Sequence, residues 1–232
     1  RHNAQVIANE MAAEAEHHGL KDQIDGLLVV TPPERKTDAA YRLHTFNPEA
    51  NPVAHNGIDA LCAFQAYRQL EDHQDESLVL RLGNLPVKLT GVGKDDAFVE
   101  ADLGKPTLEP TDALVDVAQL DSVQPPHTYE LEVANHEDPV IATLVALEDM
   151  HAVIFTPSLD DVPMDRVGPA VDVHSAFPKG CTVHAAVVQE PGVVTLRSWQ
   201  QGVGVTPASG LGLAAVCAAG VTNSCTLASN TA

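Results

Sequence analysis

Hydrophobic and polar positions alternate with a period of two along many short segments of this chain. Such alternation predicts half-buried β-strands, and Gly, Asn or Pro separates most of these segments. Strands are predicted at residues 26–30, 40–46, 77–82, 85–91, 97–101, 129–134, 140–145, 151–155, 182–188 and 193–199.

Four segments have the composition of helices instead. Residues 10–18 are acidic and Ala-rich, residues 164–170 are short, and residues 57–70 and 210–219 are apolar nearly all round. A helix of the last kind belongs against a curved sheet rather than on a surface. Since Pro-Pro continues neither a helix nor a central strand, residues 121–127 are predicted to be a linker. The pattern thus predicts an α+β fold of two domains, residues 1–122 and 123–232.

One stretch of the sequence has a related counterpart 153 positions later, and the two align without a gap. The matched pairs are Leu43 with Leu196, Thr45 with Ser198, Phe46 with Trp199, Asn47 with Gln200, Asn56 with Ser209, and Gly57 with Gly210. Each copy predicts a strand, a turn-rich loop and an apolar helix that begins at a small polar residue and Gly. Helix N-termini bind anions through free N–H groups, so two such starts facing a shared cleft would bind a small carboxylate. Simple N-capping by Ser and Asn is the alternative.

The net charge of the protein limits the kinds of partner that it can bind. The formal net charge of −19 argues against nucleic acid and against an anionic membrane surface. The acids are scattered rather than gathered in a tail, a pattern that favours a halophilic host over an ordinary acidic cytosolic protein.

The four cysteines show neither C-x-x-C nor histidine pairing at metal-binding spacing, so neither a metal nor another cofactor is expected. Cys62 and Cys217 lie in apolar helices, which favours structural thiols in a reducing, cytoplasmic compartment. No apolar run approaches the roughly 18 residues of a membrane span, and no signal-peptide pattern opens the chain.

The two repeated stretches resemble the active-site segments of the diaminopimelate epimerase family, which belongs with phenazine-biosynthesis-type and proline-racemase-type isomerases. The first family segment resembles F-N-A-D-G-S-E-x-x-x-C-G-N-G-x-R-C, where residues 46–62 are FNPEANPVAHNGIDALC. The second resembles R-x-x-E-R-G-x-G-E-T-x-A-C-G-[ST]-G, where residues 197–212 are RSWQQGVGVTPASGLG. The resemblance implies two pseudo-symmetric domains, each a mixed or antiparallel sheet around a central helix.

The resemblance also implies where a ligand would bind. In the family one cysteine removes an α-proton and a second returns it from the opposite face. Asn56 and Ser209 occupy these two catalytic positions here, and neither side chain is a useful acid without help. Gln200 and Gln201 replace the family's Glu-Arg pair. The other positions implied to contact substrate are Asn3, Asn47, Gly57, Asp149, His151, Gly210 and Leu211.

Three functional hypotheses remain open. The first is a divergent family member, a candidate pseudoenzyme, that binds a small carboxylate or amino acid without cysteine-dependent chemistry. The second is an active isomerase that needs no pyridoxal phosphate and uses His55 or His151 as base, with Ser209 relaying or stabilising charge. The third is a non-enzymatic structural or assembly protein. Eleven histidines make a chance loop histidine unsurprising, His184 can face either way, and Asp59 and Asp149 are either supporting groups or solvated acids.

The C-terminal end adds one expectation. Family chains continue past the second repeated helix with strands that complete the sheets, whereas this sequence ends at Ala232. We expect either a shortened homologue or a sheet edge covered by a partner, which makes a homodimer a reasonable hypothesis.

Overall fold

The computed structural model describes residues 3–33, 39–55, 57–70, 77–92, 98–133, 138–207 and 209–222. Its contacts divide the chain into two compact units, Arg1–Gly104 and Lys105–Ala232. The domain boundary predicted after residue 122 lies inside a short strand of the second unit. In the described part of the chain, no helix is long and apolar enough to cross a membrane.

The first unit begins with helix α1, Ala4–His17, where the sequence pattern predicted a later start at residue 10. The Asn3 side chain caps this helix by accepting a hydrogen bond from the Gln5 N–H at 3.0 Å. Ala4 and Ala8 are buried in a small apolar cluster with Leu27 and Phe46. The capping Asn and the small buried residues explain the earlier start, because together they fix the first turn against the sheet.

Among the described residues, the first unit has a sheet of five strands in the order β1-β2-β3-β4-β5. The strands are β1, Leu27–Thr31; β2, Tyr41–Phe46; β3, Ser77–Leu82; β4, Leu85–Val92; and β5, Phe98–Asp102. The pair β2–β3 is parallel and the other pairs are antiparallel, so the sheet is mixed.

Helix α2, Ile58–Leu70, forms the crossover that a parallel strand pair requires. It contacts all five strands of the sheet. Ala60, Ala63 and Phe64 face the sheet and join buried leucines of β2, β3 and β4, including Leu43 and Leu80. The core of the first unit therefore lies between this helix and the sheet, and it fixes the start of α2 beside the end of β2.

The second unit contains, among its described residues, a sheet of seven strands in the order β12-β11-β10-β9-β8-β7-β6. The strands are β6, Asp121–Val123; β7, Thr128–Leu131; β8, Val140–Ala146; β9, Met150–Phe155; β10, Thr182–Glu190; β11, Val193–Gln200; and β12, Gly204–Thr206. The pair β9–β10 is parallel, and the remaining pairs are antiparallel.

Two helices cover opposite faces of this sheet. Helix α3, Met164–Asp172, packs on β10, β11 and β12. Its Gly168 lies directly on Trp199, where an added Cβ would stand 2.4 Å from the Trp199 Cβ. Helix α4, Gly210–Thr222, packs on β8, β9 and β10 through Ala215, Val216 and Ala219. The remaining face of α4 exposes Leu213 and Val221.

The prediction of a linker at residues 121–127 is wrong. Residues Asp121–Val123 form β6, which pairs with β7 to make a hairpin. Both prolines lie in the turn between these strands, and the Gln124–Pro125 peptide bond is cis. Proline is excluded from strand ladders but tolerated in turns, so the same residues that suggested a break between domains close a hairpin.

Cys62 and Cys217, which were expected to be structural thiols in apolar helices, are exposed. Each lies in a helix that buries only one face, and the two thiols occupy the other face. Cys181 is buried. Burial, together with the negative charge of Asp172, raises the pKa of the Cys181 thiol well above its ordinary value, so this thiol stays protonated.

Candidate functional site

In the first unit, three side chains meet where β2 ends and α2 begins. The Thr45 hydroxyl donates to Asp59 Oδ2 at 2.8 Å, and His55 Nδ1 lies 3.0 Å from the same oxygen. Thr45 Oγ1 and His55 Nδ1 are 2.9 Å apart. The Ala60 N–H donates to Asp59 Oδ1 at 2.9 Å. The strand, the loop and the first turn of the helix each supply one member of this triad.

The electrostatics of Asp59 determine how His55 is held. Burial by itself would raise the pKa of the Asp59 carboxyl, but hydrogen bonds from His55, Thr45 and Ala60 and the charge of His55 outweigh burial and lower it. Asp59 is therefore ionised near neutral pH and can only accept. His55 must then donate from Nδ1, which leaves Nε2 as the ring atom for other partners.

Beside this triad lies a cavity of about 1090 Å³, whose described lining residues all belong to the first unit. Its walls come from the start of α1, nearly the whole of β2, the end of β1, and the loop that precedes α2. The polar side chains of the lining are those of Asn3, Gln5, Thr31, Arg42, His44, Thr45 and His55. Its volume is close to the upper limit of cavities that hold small molecules, about 1,000 Å³.

The other predicted ligand contacts of the first unit lie in turns. Asn47 accepts hydrogen bonds from the N–H groups of Glu49 and Asn51, at 3.1 and 2.9 Å, and so closes the loop after β2. Gly57 has φ of +85°, a conformation that favours glycine. Asn3, besides capping α1, lines the cavity. Asn56 lies outside the described residues.

In the second unit, a chain of buried polar groups runs along the face that α4 covers. His184 Nδ1 lies 2.8 Å from Ser198 Oγ, and His184 Nε2 lies 3.0 Å from His151 Nδ1. The register pairs His184 with Val153 on β9 and with Ser198 on β11. Because Val153 packs against α4, these side chains share its face of the sheet.

His151 and His184 are both uncharged at neutral pH. Burial lowers the pKa of His151 to about 4. Burial and the neighbouring His151 lower the pKa of His184 well below its ordinary value. Two neutral proton arrangements are consistent with the distances, since the hydroxyl and the rings can each donate in either direction. In both arrangements His151 Nε2 is buried and has no hydrogen-bond partner among the described residues.

The start of α4 lies against this chain of groups. Ser209 is buried, and its hydroxyl accepts a hydrogen bond from the Gly212 N–H at 2.9 Å. An added Cβ on Gly212 would stand 2.5 Å from His184 Cε1, so the helix backbone touches the imidazole. Leu211 is buried, and Gly210 is the first residue of the helix. Ser209 thus acts as an N-cap beside His184.

The remaining predicted contacts in the second unit are dispersed. Gln200 is 2% exposed and ends β11, whereas Gln201 lies in the exposed turn that follows. The Gln201 amide packs on Gly180, away from the face that α4 covers. Asp149 is half-buried in the turn between β8 and β9. Gln200 and Gln201 are therefore neighbours in sequence with different surroundings.

Sequence patterns missed several of these groups. The pairing of Ser198 with His184, and of Thr45 with His55 and Asp59, was not predicted, although Thr45 and Ser198 are a matched pair of the repeated stretch. Arg42 was also missed. Among the described residues, no group of three His, Cys, Asp or Glu side chains is placed to hold a metal ion.

Comparison with known proteins identifies the family. No family model matches the chain. Diaminopimelate epimerase from Desulforudis audaxviator is 31% identical over 200 residues, which cover 85% of this chain and 68% of that enzyme. The chain belongs to the diaminopimelate epimerase family. The enzyme of the same name from Acaryochloris marina is 28% identical over 197 residues, with 85% of this chain and 68% of that protein covered. The chain thus spans about two thirds of the length of these relatives.

Solved structures with the same fold come from the wider group. A hydroxyproline epimerase from Agrobacterium vitis, with bound trans-4-hydroxy-L-proline, has a TM-score of 0.59 at 13% identity over 96% of this chain and 70% of its own. A probable proline racemase from Agrobacterium radiobacter, with bound carbonate, has a TM-score of 0.58 at 14% identity over 86% and 60%. A phenazine biosynthesis protein of the PhzF family from Bacillus anthracis has a TM-score of 0.53 at 17% identity over 92% and 70%. The predicted α+β fold class is confirmed.

Proposed function

We propose that this member of the diaminopimelate epimerase family binds a small carboxylate or amino acid and does not carry out the cysteine-dependent epimerase reaction. The single observation that carries the proposal is the state of Ser209. At the position where the resemblance implies the second thiol, a buried hydroxyl accepts a backbone hydrogen bond and caps α4. A serine hydroxyl held as a cap, beside histidines that stay neutral, is a poor proton donor and a poor base.

Ligand binding is supported by the orphaned atom of His151. A buried polar atom without a partner costs about 1–3 kcal/mol, and such atoms are rare in folded proteins. His151 Nε2 is one of them. It belongs to the group of polar side chains that underlies α4, whose first N–H groups and positive dipole end favour an anion. A carboxylate ligand would supply both the missing partner and the negative charge.

The test is ligand binding followed by proton exchange. The protein is mixed in turn with meso-diaminopimelate, trans-4-hydroxy-L-proline and L-proline, and the midpoint of thermal unfolding is measured. A ligand that binds only the folded protein raises this midpoint. We expect at least one compound to raise it in the parent protein and less in a His151→Gln variant, with His18→Gln as the matched control on an exposed histidine.

In D₂O, proton NMR then follows the α-proton of each compound. We expect no exchange with diaminopimelate, and exchange would refute the proposed loss of the reaction. If no carboxylate raises the unfolding midpoint, ligand binding is refuted and a structural or assembly role takes its place.

Restoring the two thiols is a second test. A double variant with Asn56→Cys and Ser209→Cys regains the residue types that the resemblance implies. We expect no racemisation by this variant, because Gln200 and Gln201 still replace the charged pair that the family uses for its substrate. Measurable racemisation of diaminopimelate would show that the charged pair matters less than the thiols.

A second candidate function is an isomerase with a histidine base. The triad of Thr45, His55 and Asp59 favours it, since a carboxylate that orients an imidazole is the usual support of a general base. Of the two histidines considered, His55 is the better base, because burial holds His151 neutral with a pKa of about 4. Exchange of an α-proton that disappears in His55→Gln but persists in His18→Gln would establish this function.

We also propose that the chain forms a homodimer. Leu213 and Val221 lie two turns apart on the outer face of α4 and are 46% and 77% exposed, with Cys217 between them. Apolar side chains in such a stripe are typical of a covered surface. Light scattering on the purified protein measures the mass in solution, and a monomer at all concentrations would refute the dimer. We place the protein in the cytoplasm of a salt-rich cell and expect neither nucleic acid nor membrane as partner, on the strength of its charge.

A further inference from the structure

The chain of polar groups under α4 ends in a hydroxyl whose hydrogen bonds can be counted. The Ser198 hydroxyl lies 2.8 Å from His184 Nδ1, and it has no other hydrogen-bond partner among the described residues. Ser198 is fully buried. Because a buried donor without an acceptor is unfavourable, the hydroxyl hydrogen is satisfied when it points at His184 Nδ1.

The ring of His184 is held in one orientation. Its Nδ1 contacts Ser198, and its Nε2 lies 3.0 Å from His151 Nδ1. A flipped ring would place carbon atoms at both contacts, so the hydrogen-bond network determines the orientation. Helix α4 also confines the ring, since an added Cβ on Gly212 would stand 2.5 Å from His184 Cε1. His184 therefore connects Ser198 to His151 through its two nitrogens.

The direction of the Ser198 hydrogen bond determines where the hydrogens of both rings lie. Burial lowers the pKa of both imidazoles, so each neutral ring carries one N–H hydrogen. If Ser198 donates to Nδ1 of His184, then His184 must donate from Nε2 to Nδ1 of His151. His151 in turn carries its hydrogen on Nε2, the buried atom that has no partner in the described part of the chain.

The opposite direction leaves both ends of this network unsatisfied. His151 would donate from Nδ1 to His184, and His184 would donate from Nδ1 to Ser198. The hydroxyl hydrogen of Ser198 would then lack an acceptor among the described residues, and a ligand at His151 could not supply one, because it meets the other end. In the first arrangement, one acceptor placed at His151 Nε2 satisfies every hydrogen of the three side chains.

We propose that Ser198, acting through His184, fixes the hydrogen of His151 on Nε2 and so makes this atom a selective hydrogen-bond donor. The ligand group that meets it is an acceptor, such as a carboxylate or carbonyl oxygen, and not an amine. Ser198 and His184 are positioning residues, since they act on the ligand through His151. The inference rests on the proposed function for the presence of a ligand, and it adds which end of an amino acid faces His151.

Long-range proton–nitrogen NMR spectra of the isotope-labelled full chain at pH 7 test the proposal, because they distinguish ring nitrogens with and without hydrogen. We expect His151 and His184 each to carry hydrogen on Nε2 and none on Nδ1. Hydrogen on Nδ1 of either ring would overturn the proposal. The signals are assigned by their loss in His151→Gln and His184→Gln. Should these variants not fold, the nuclear Overhauser effect between the His184 ring and Gly212 assigns His184 in the parent protein.

Variants of Ser198 separate a positioning role from a purely structural one. Ser198→Ala removes the hydroxyl that sets the direction, so the ring nitrogen signals of both histidines should move to positions intermediate between the two arrangements. Ser198→Thr keeps a hydroxyl, as matched residue Thr45 does 2.9 Å from His55 Nδ1, and should restore the parent signals. Thr195→Ala replaces an exposed hydroxyl on the same strand and is the control. Parent-like signals in folded Ser198→Ala would overturn the proposal.

Cyclopentanecarboxylate and pyrrolidine are matched ligand probes, because their rings are of the same size and one offers a carboxylate, the other an amine. We expect the first to shift the Nε2–H signal of His151 and the second to leave it unchanged. In Ser198→Ala the affinity for cyclopentanecarboxylate should fall about twofold, since about half of the molecules then have the competent arrangement. A shift produced by pyrrolidine alone would overturn the proposal.

The outcomes also separate this inference from the proposed function. Hydrogen on Nε2 of both rings, with no response to cyclopentanecarboxylate or to any compound of the binding test, would support the fixed direction and refute a ligand at His151. Hydrogen on Nδ1 of His151, together with binding of a carboxylate, would overturn this inference and leave the proposed function standing.

Discussion

Two hydroxyl groups that occupy matched positions of the repeated stretch, Thr45 and Ser198, each contact the Nδ1 atom of a histidine. The distances are 2.9 Å to His55 and 2.8 Å to His184. The surroundings then diverge, since His55 is backed by a carboxylate and lines a cavity, whereas His184 is backed by another histidine and is fully buried. At the scale of single residues, the same contact thus places one imidazole against a buried carboxylate and the other against a second imidazole, where it stays neutral.

Asp59 should stabilise the first unit in a pH-dependent way. Its pKa is lower in the folded protein than in the unfolded chain, so its contribution is present above the unfolded value, about 3.9, and is lost as the pH falls through the folded value. We expect Asp59→Asn to lower the free energy of unfolding by about 1–3 kcal/mol at pH 7. The difference should shrink in acid, as measured by urea unfolding at several pH values.

Asp25→Asn is the control for this prediction, because Asp25 is exposed in the same unit. It should change the free energy of unfolding little at any pH. An Asp59→Asn protein as stable as its parent at pH 7 would contradict the role of the triad in folding.

The contribution of His151 to the free energy of unfolding should also decrease as the pH falls, but for a different reason. The unfolded chain protonates this histidine near pH 6.5, while burial holds the folded pKa at about 4. Below pH 6.5 the unfolded state therefore binds a proton that the folded state does not. The free energy of unfolding should fall by up to about 1.4 kcal/mol per pH unit for this group.

Urea unfolding of the parent protein and of His151→Gln between pH 7 and pH 5 measures the effect. The free energy of unfolding should depend less steeply on pH in His151→Gln, by about one proton. His18→Gln, at an exposed histidine, is the control. Equal slopes for parent and His151→Gln would mean that His151 is charged in the folded protein.

At the scale of elements, the start of α4 depends on close contact with the sheet. Replacing Gly by Ala inside a helix is usually stabilising by up to about 1 kcal/mol. At Gly212 the new Cβ would stand 2.5 Å from His184 Cε1 and 2.9 Å from Ser209 Cβ, and neither neighbour is the free end of a flexible side chain. We expect Gly212→Ala to destabilise the protein by about 1–3 kcal/mol in denaturant unfolding.

Leu213→Ala is the control on the next residue of the same helix. Leu213 is 46% exposed in the single chain and lies on the outer face, so its truncation should cost the monomer less than about 1 kcal/mol. A stabilised Gly212→Ala protein would show that the helix start can move away from His184.

At the scale of the whole molecule, charge is the dominant property. With a net charge of −19, the folded protein is destabilised by repulsion between surface acids, which salt screens. We expect the unfolding midpoint to rise by about 4 °C or more between 0.15 M and 2 M KCl, equivalent to about 1–2 kcal/mol for a chain of this size.

A triple variant with Glu10→Gln, Glu14→Gln and Glu16→Gln tests whether repulsion between surface acids causes the dependence of the unfolding midpoint on salt. These acids are exposed on α1, and their neutralisation should reduce the dependence on salt. An unfolding midpoint that does not respond to KCl would refute the adaptation to salt inferred from composition.

The sequence by itself determined the elements and the family. Periods of two and runs of apolar residues identified most strands and both long helices, because burial on one face imposes a pattern that neighbouring residues reveal. The matched stretches at residues 41–57 and 194–210 identified the kinship that the relatives confirm. The hairpin at residues 121–131 was missed because Pro-Pro marks a turn without telling whether the strands on either side will pair.

Only the tertiary structure decided which side chains meet. His184 and Ser198 lie on adjacent strands, and His151 reaches them from a third strand, so their contact depends on strand order and register rather than on spacing in the chain. Thr45, His55 and Asp59 are closer in sequence, but the bend between β2 and α2 places them on one oxygen of Asp59. Local patterns follow from local burial, whereas pKa values and hydrogen bonds depend on neighbours that long-range pairing brings together.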